Sequence, residues 1–399
     1  MEYIKNWIHD FLYMFRRELG MMLKDSGFMT MFLFTMLVYP LLYYCVYSNG
    51  IMQDTSLAVV DKADCADSRR FIREVNATRE CNVDYHCTDM REAERLMQQR
   101  KVHGIIYIPE DFADNLAYGQ TAMVSIYADM SSFLYYKNVL MSTEFPILHE
   151  LNTLQVTRYE EEGSTAQEAY AASQPILYED NSPYNRTLSY TPFIYSMILL
   201  MIVQQVMFYG MCMVSGTMRE EGRPFAALKD SMHGRGVGRI VLGRGAAYWL
   251  VFMFMAVMVS IIAPAVLGFP QRGRFGDVLS LDIIFVTACV FFCETWSTLV
   301  TRRETGFVLF LPMTLVCVFL TGFAWPRMSF PGFWRVFSCL FPTSFGCRGF
   351  MDVSTAGAAL SAVRDLTKAM TLQTMVYFVL ACVAVYVENF VLKRRSLEG

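Results

Sequence analysis

Residues 192–216 read PFIYSMILLMIVQQVMFYGMCMVSG, a stretch without one charged side chain. As a helix at about 1.5 Å per residue it extends past the ~30 Å of a bilayer's hydrocarbon layer. Charge returns at once on its C-terminal side, in Arg219-Glu220-Glu221-Gly222-Arg223. A run of this length and purity reads as a transmembrane span rather than a core helix.

Outward from it, other runs repeat the pattern. The chain has 399 residues, 54% of them hydrophobic, with 28 methionines, and its mean hydropathy is positive. That apolar content exceeds the usual share of a soluble protein. It gathers in runs near 28–47, 192–216, 240–268, 279–300, 305–323 and 370–391. The net charge of -3 says little, because placement of charge matters more than its sum in a membrane protein. The run Phe28–Tyr47 lies too far from the start, and lacks the small-residue site, to be a cleaved signal. It reads as a retained anchor.

The expected fold is therefore an α-helical polytopic membrane protein with six transmembrane helices, split 1+5, and an inserted α/β extracytoplasmic domain. Residues 1–27 read as an amphipathic N-terminal helix, with Trp7, Ile8, Phe11, Leu12, Phe15 and Leu19 at helical spacing. It either lies on the cytoplasmic membrane surface or extends the first span. Residues 28–47 form the first span, 48–190 the external domain and 191–392 the five-helix block. The stretch 393–399 is a tail.

Basic residues orient this plan. Arg16, Arg17 and Lys24 precede the first span. Arg219, Arg223, Lys229, Arg235 and Arg239 fill the loop 217–239, Arg302 and Arg303 the short turn at 301–304, and Lys393, Arg394 and Arg395 the tail. The positive-inside rule puts all of these, and both termini, in the cytoplasm. Arg272, Arg274, Arg327, Arg335 and Arg348 fall on the other side, so the rule acts here as a bias.

Within 48–190, Leu57–Val60, Gly104–Ile108 and Met123–Tyr127 read as strands. Asp67–Asn76, Asp89–Arg100 and a long stretch from Ser131 toward Glu162 read as helices. Gln174–Tyr190, with Pro175 and Pro183, returns extended to the membrane. Residues 324–352 hold Trp325-Pro326, Phe330-Pro331-Gly332, Trp334 and Phe341-Pro342, too apolar for an aqueous loop and too broken for a span. Non-helical backbone at membrane depth needs protein or water to satisfy it. A re-entrant hairpin of two short helices fits, with an interfacial loop as the alternative.

No phosphate-binding GxxxxGK[ST], GxSxG or HExxH motif occurs, and the five histidines are scattered. Catalysis on this chain is not expected. The eleven cysteines include no CxxC, and none has zinc spacing. Cys81–Cys87 and Cys339–Cys347 are candidate disulfides if their side is oxidising, with free thiols the alternative. Asn76 and Asn185 match the glycosylation acceptor pattern, which is short and weak. Glu294 is an acid deep in a late span, with Asp282 near the span's outer end. Such a residue is a functional candidate by default, as a proton relay or a substrate partner. The opposing reading is a structural or interfacial Glu near Arg302 and Arg303.

The loop 217–239 is the most informative. Arg219, Glu220, Glu221, Gly222 and Arg223 lead into a short amphipathic segment containing Phe225 and Leu228, followed by Leu242-Gly243-Arg244. Such an element can plug into a groove on a cytoplasmic partner and pass on its motion. Otherwise it is a solvated loop.

In this layout the chain resembles the ABC-2 type transporter permeases with a large external domain between the first two spans. The resemblance rests on the charged stretch ending near Gly222, on Leu242-Gly243-Arg244 opening the next span with Arg for the usual Lys, and on Thr321-Gly322-Phe323-Ala324-Trp325-Pro326 with Thr for Ser. Phe330-Pro331 and Phe341-Pro342-Thr343 follow it. The resemblance implies an exporter permease of a bacterial inner membrane, moving a drug, lipid or glycan outward. It implies a dimer with a second copy or a paralogue, contact with lipid, and a cytoplasmic ATPase subunit on the coupling loop. A periplasmic adaptor is a further candidate partner; nucleic acid is not one. Cofactors on this chain would be none, with ATP and Mg on the partner. The hairpin would carry Gly322, Trp325, Pro326, Pro331 and Pro342. Two competing functions stay open: a membrane-anchored envelope scaffold or sensor, and a proton-coupled carrier using Glu294.

Overall fold

The computed structural model describes residues 2–174, 185, 189, 191–222, 236–269 and 271–398. The chain divides into two compact units, Met1–Ser48 with Ser189–Gly399, and Asn49–Leu188.

The first unit opens with α1 (Glu2–Lys24) and α2 (Ser26–Tyr47). Asp25 alone separates them. Its backbone is extended and its carboxylate accepts from the Phe28 amide at 3.0 Å, a cap for the exposed N–H groups of a new helix. The buried residues of α1 are Asp10, Met14, Glu18 and Met22. They recur every four positions, so they form one stripe. Tyr3, Ile4, Ile8 and Leu12 stay exposed. The amphipathic reading of 1–27 thus accounts for the outer face of α1, while its inner stripe alternates acid and methionine.

The second unit is an α/β layer structure. Its order is β1 (Thr55–Asp61), α3 (Ala66–Asn76), β2 (Cys81–His86), α4 (Met90–Gln98), β3 (Gly104–Ile108), α5 (Phe112–Ala117), β4 (Ser125–Ala128), α6 (Phe133–Glu161) and α7 (Ala166–Ser173). The sheet order is β2-β1-β3-β4, with β1 parallel to β2 and β3, and β4 antiparallel to β3. Side chains alternate across a strand. Leu57 and Val59 therefore pack with Phe71 and Val75 of α3 and Val139 of α6, while Ala58 and Val60 pack with Ala93 of α4. Sequence reading finds three of the strands and the long helices, displaced by one or two residues. The short α5 is absent from it.

The candidate disulfides are corrected here: all eleven cysteines are free thiols. Cys81 starts β2 and Cys87 follows its end, and they pack on opposite faces of the sheet. Six residues of strand separate them by about 20 Å, far beyond disulfide reach. Burial pushes the Cys81 thiol up to about 11. Cys339 is exposed beside Arg327, whose Nη2 lies 2.9 Å from its Sγ, while Cys347 is buried.

The chain then forms α8 (Thr191–Glu220), and α9 (Val237–Val257), which runs through a π-helical turn (Met258–Ile262) into α10 (Ala263–Leu267). α11 (Phe275–Ser297), α12 (Arg303–Leu320), α13 (Gly332–Ser338), α14 (Thr343–Phe350) and α15 (Arg364–Glu398) complete it. Among the described residues, six helices are long and apolar enough to cross a membrane. They are α2, α8, α9 with α10, α11, α12 and α15. The apolar window of α8 is 89% buried, against 17% for α2 and 18% for α12. So α8 is the axis of the bundle, and α2 and α12 lie at its periphery.

The stretch 324–352 forms the two short helices α13 and α14. Their connecting backbone is satisfied from the bundle: Gln373 Nε2 donates to the Cys339 carbonyl and Tyr377 Oη to the Leu340 carbonyl, both at 2.6 Å. Gln204, buried in α8, accepts from the Thr343 amide at 3.0 Å. This is the condition for irregular backbone to persist away from water.

Candidate functional site

The residues singled out around the coupling loop divide into three groups. Arg223, Phe225 and Leu228 lie outside the described residues. Glu220, Glu221 and Gly222 are exposed at the end of α8, where Gly222 takes φ +66, a conformation that favours glycine. Arg219 turns inward. Its Nε and Nη2 meet the two oxygens of Glu388 on α15 at 2.9 and 3.1 Å. Its Nη1 donates to the Ser297 carbonyl at 2.9 Å and to the Val300 carbonyl. A planar fork meeting a carboxylate bidentately is the strong form of this contact. Arg219 thereby ties α8 to the end of α11 and to α15.

On the far side of residues 223–235, α9 starts with Arg239. Its Nη1 lies 2.6 Å from Asp10 Oδ2, and the Asp10 side chain is fully buried. Five residues on, Arg244 is wholly buried. It reaches Glu18 at 3.7 Å, Ser297 Oγ at 3.2 Å and Ser215 Oγ. Gly243 makes this approach possible, because a Cβ there would lie 2.7 Å from Met14 Cβ and 2.9 Å from the Phe11 carbonyl. The glycine of Leu242-Gly243-Arg244 lets α1 sit against α9, and the arginine then meets the acid that α1 brings.

A fourth tie joins α2 and α12. Arg303 Nη1 and Nη2 meet Asp25 at 2.5 and 2.8 Å, and Nη1 also meets Thr217 Oγ1 at 2.8 Å. The Arg303 guanidinium holds the Asp25 carboxyl below the usual carboxylate range. Glu220 Oε1 accepts from the Arg303 amide at 3.1 Å. Gly216 again permits the contact: a Cβ there would meet the Arg302–Arg303 backbone at 2.5–2.7 Å.

Glu294 belongs to the same region. It is fully buried, with Arg244 its principal opposite charge, and neither carboxylate oxygen has a hydrogen-bond partner. Both Glu18 oxygens also lack one. Two carboxyl groups and one guanidinium thus share a space closed to solvent.

Sequence reading missed Asp10, Glu18, Asp25 and Glu388. The four-residue recurrence of Asp10, Met14, Glu18 and Met22 was the available signal, since an acid in step with methionines on one helix face points inward. Glu388 carries no local signal. It sits near the end of an apolar run, and its partner is 169 residues away.

Arg219, Arg239 and Arg303 on terminal turns of α8, α9 and α12, with Arg244 further into α9, therefore join α1, α2, α8, α9, α11, α12 and α15 at one end of the bundle. The segment 223–235 is strung between two of these ties. The description "ABC-2 family transporter protein" matches residues 26–383. The chain belongs to the ABC-2 transporter family. It is a multi-pass membrane permease of an ABC transporter, a class that works with an ATPase partner. The family match covers all four arginines, whereas Asp10, Glu18 and Asp25 lie before its start and Glu388 lies after its end. No curated protein matches the chain.

Proposed function

We propose that this ABC-2 permease is an exporter subunit. A separate cytoplasmic subunit, carrying ATP and Mg, docks on the segment 223–235 and on the exposed Glu220–Gly222 turn. The observation that carries this reading is the anchoring of that segment. It leaves α8 beside Arg219, bound to α11 and α15, and enters α9 beside Arg239, bound to α1. A push delivered at these two points reaches α11 and α15 through Arg219 and α1 through Arg239. Both termini and this helix end would face the cytoplasm of a bacterial inner membrane, and the α/β unit would lie outside, available to a periplasmic adaptor. A second permease copy or paralogue would complete the pathway.

A cleft of about 250 Å³ lined by α2, α8 and α12 supports the proposed substrate class. Its walls include Met31, Ile198 and Val206, with Thr35, Tyr39 and Gln205 interspersed. Gln205 Oε1 accepts from Thr314 at 3.2 Å, so an amide sits among the apolar side chains of the wall. A few polar groups set in an apolar wall support a hydrophobic or amphipathic substrate.

Charge reversal at Glu221, exposed at the end of α8, is the decisive test. Glu221→Lys, assayed in proteoliposomes with the ATPase subunit, should lower ATP-driven transport by roughly tenfold or more, a coupling loss of about 1.4 kcal/mol. The unfolding midpoint should not move. Unchanged transport, or ATP hydrolysis by the purified chain alone, would end the coupling reading.

A further inference from the structure

The α/β unit holds a cavity that the transport reading does not use. It measures about 320 Å³ and lies between α3, α5, α6 and the segment before β4, within the range of small-molecule sites, about 300–1,000 Å³. Phe71 and Phe112 reach into it from the core side, and Leu151, Leu154 and Met123 form its outer wall. Met123 is 67% exposed and Leu151 50%. Apolar surface left open around a concavity marks a binding site more often than a packing remnant.

Its polarity is one-sided. Among the described residues, the charged residues in the lining are two acids, Asp67 and Glu150. Arg70, outside the lining, serves both. It meets Glu150 bidentately at 2.5 and 2.7 Å and Asp67 at 3.2 Å. Arg158 donates to the Leu116 carbonyl at 3.2 Å and is not part of the lining. The charged groups that face the cavity are thus carboxylates, with one guanidinium shared between them from behind. Asp67, in the weaker of the two contacts and 43% exposed, is the acid free to take a new partner.

We propose that this cavity binds a lipophilic cation. The apolar body would fill the space against Phe71, Phe112 and Leu154. The positive charge would sit at the mouth beside Asp67. A neutral molecule would gain from the walls alone, and an anion would meet the acid. The site stands apart from the transport reading, because occupancy of the α/β unit requires neither the ATPase nor movement of substrate.

Equilibrium binding of radiolabelled tetraphenylphosphonium to the full chain in nanodiscs, with empty nanodiscs as reference, tests it. Saturable one-to-one binding is expected. Asp67→Asn should weaken it by roughly fivefold, the scale of a partly exposed ion pair, and Leu151→Arg should abolish it. Both positions are substantially exposed, and an unchanged unfolding midpoint shows that the variants fold. Tetraphenylborate, the same shape with the opposite charge, should not compete. No saturable binding, binding indifferent to both variants, or equal competition by tetraphenylborate overturns the proposal.

Discussion

At one end of the helical unit Arg219, Arg239, Arg244 and Arg303 each lie within 4 Å of a carboxylate. Toward the other end, where α13 and α14 join α8 and α15, the ties are neutral. Gln204, Gln373 and Tyr377 meet backbone amides and carbonyls. Removing one member of a buried ion pair leaves an uncompensated charge and costs about 3–5 kcal/mol. A neutral hydrogen bond contributes about 1 kcal/mol. The charged end is therefore the harder one to rearrange. In a permease driven from one side, the end that receives force profits from moving as a block. The end around the hairpin can exchange partners at small cost.

Arg244 offers the strongest way to break this contrast. Arg244→Met removes the guanidinium that both Glu18 and Glu294 face, with Ser215 and Ser297 losing a donor as well. The expected loss is about 3–5 kcal/mol in the unfolding equilibrium in mixed micelles. Adding Glu18→Gln and Glu294→Gln to Arg244→Met should restore most of it, because no buried charge then lacks a partner. A loss below about 1 kcal/mol for the single variant would mean that the charged end is no stiffer than the other.

The same contrast explains what could be read from the chain beforehand. Spans, their number and the α/β insertion were legible because apolar runs and strand periodicity are local patterns. The pair of short helices within 324–352 was legible through Pro331, Pro342 and the aromatics around them. Gln204, Gln373 and Tyr377, which satisfy it, were not. The arginine ties were half visible: Arg219 and Arg244 were picked out as members of short motifs, but their acids lie 169 and 226 positions away. A pairing at that separation exists only once the helices have packed. The inward turn of Arg219 was illegible for the same reason, since an arginine beside two glutamates reads equally well as a solvated cluster.

The Asp25–Arg303 tie sharpens the comparison at intermediate strength. Arg303 is 35% exposed on its side chain and Asp25 12%, so solvent weakens the pair to about 1 kcal/mol. Asp25 has a depressed folded-state value against about 3.9 unfolded. Its contribution is therefore complete above the unfolded value and is lost as the pH falls through the folded one. Asp25→Asn should flatten that acid limb of the stability profile while leaving a similar Phe28 cap. An acid limb identical in the variant and the parent would assign the loss to other carboxylates.

The smallest effect belongs to the neutral end. Tyr377→Phe deletes the donor to the Leu340 carbonyl and nothing else, because the ring stays packed against Phe292 at 5.2 Å. Gln373 on the Cys339 carbonyl and Gln204 on the Thr343 amide still hold the turn on either side. The expected change is about 1 kcal/mol or less. Hydrogen exchange of the 339–345 amides should rise in the variant, since the turn between α13 and α14 loses one of its fixed points. If Tyr377→Phe instead destabilised the unit as much as Arg244→Met, the hairpin would be as firmly built as the charged end. The division of labour between a stiff driven end and an adaptable far end would then have no energetic basis. If only local exchange rises, the hairpin opens without the bundle, as an element that changes partners during transport must.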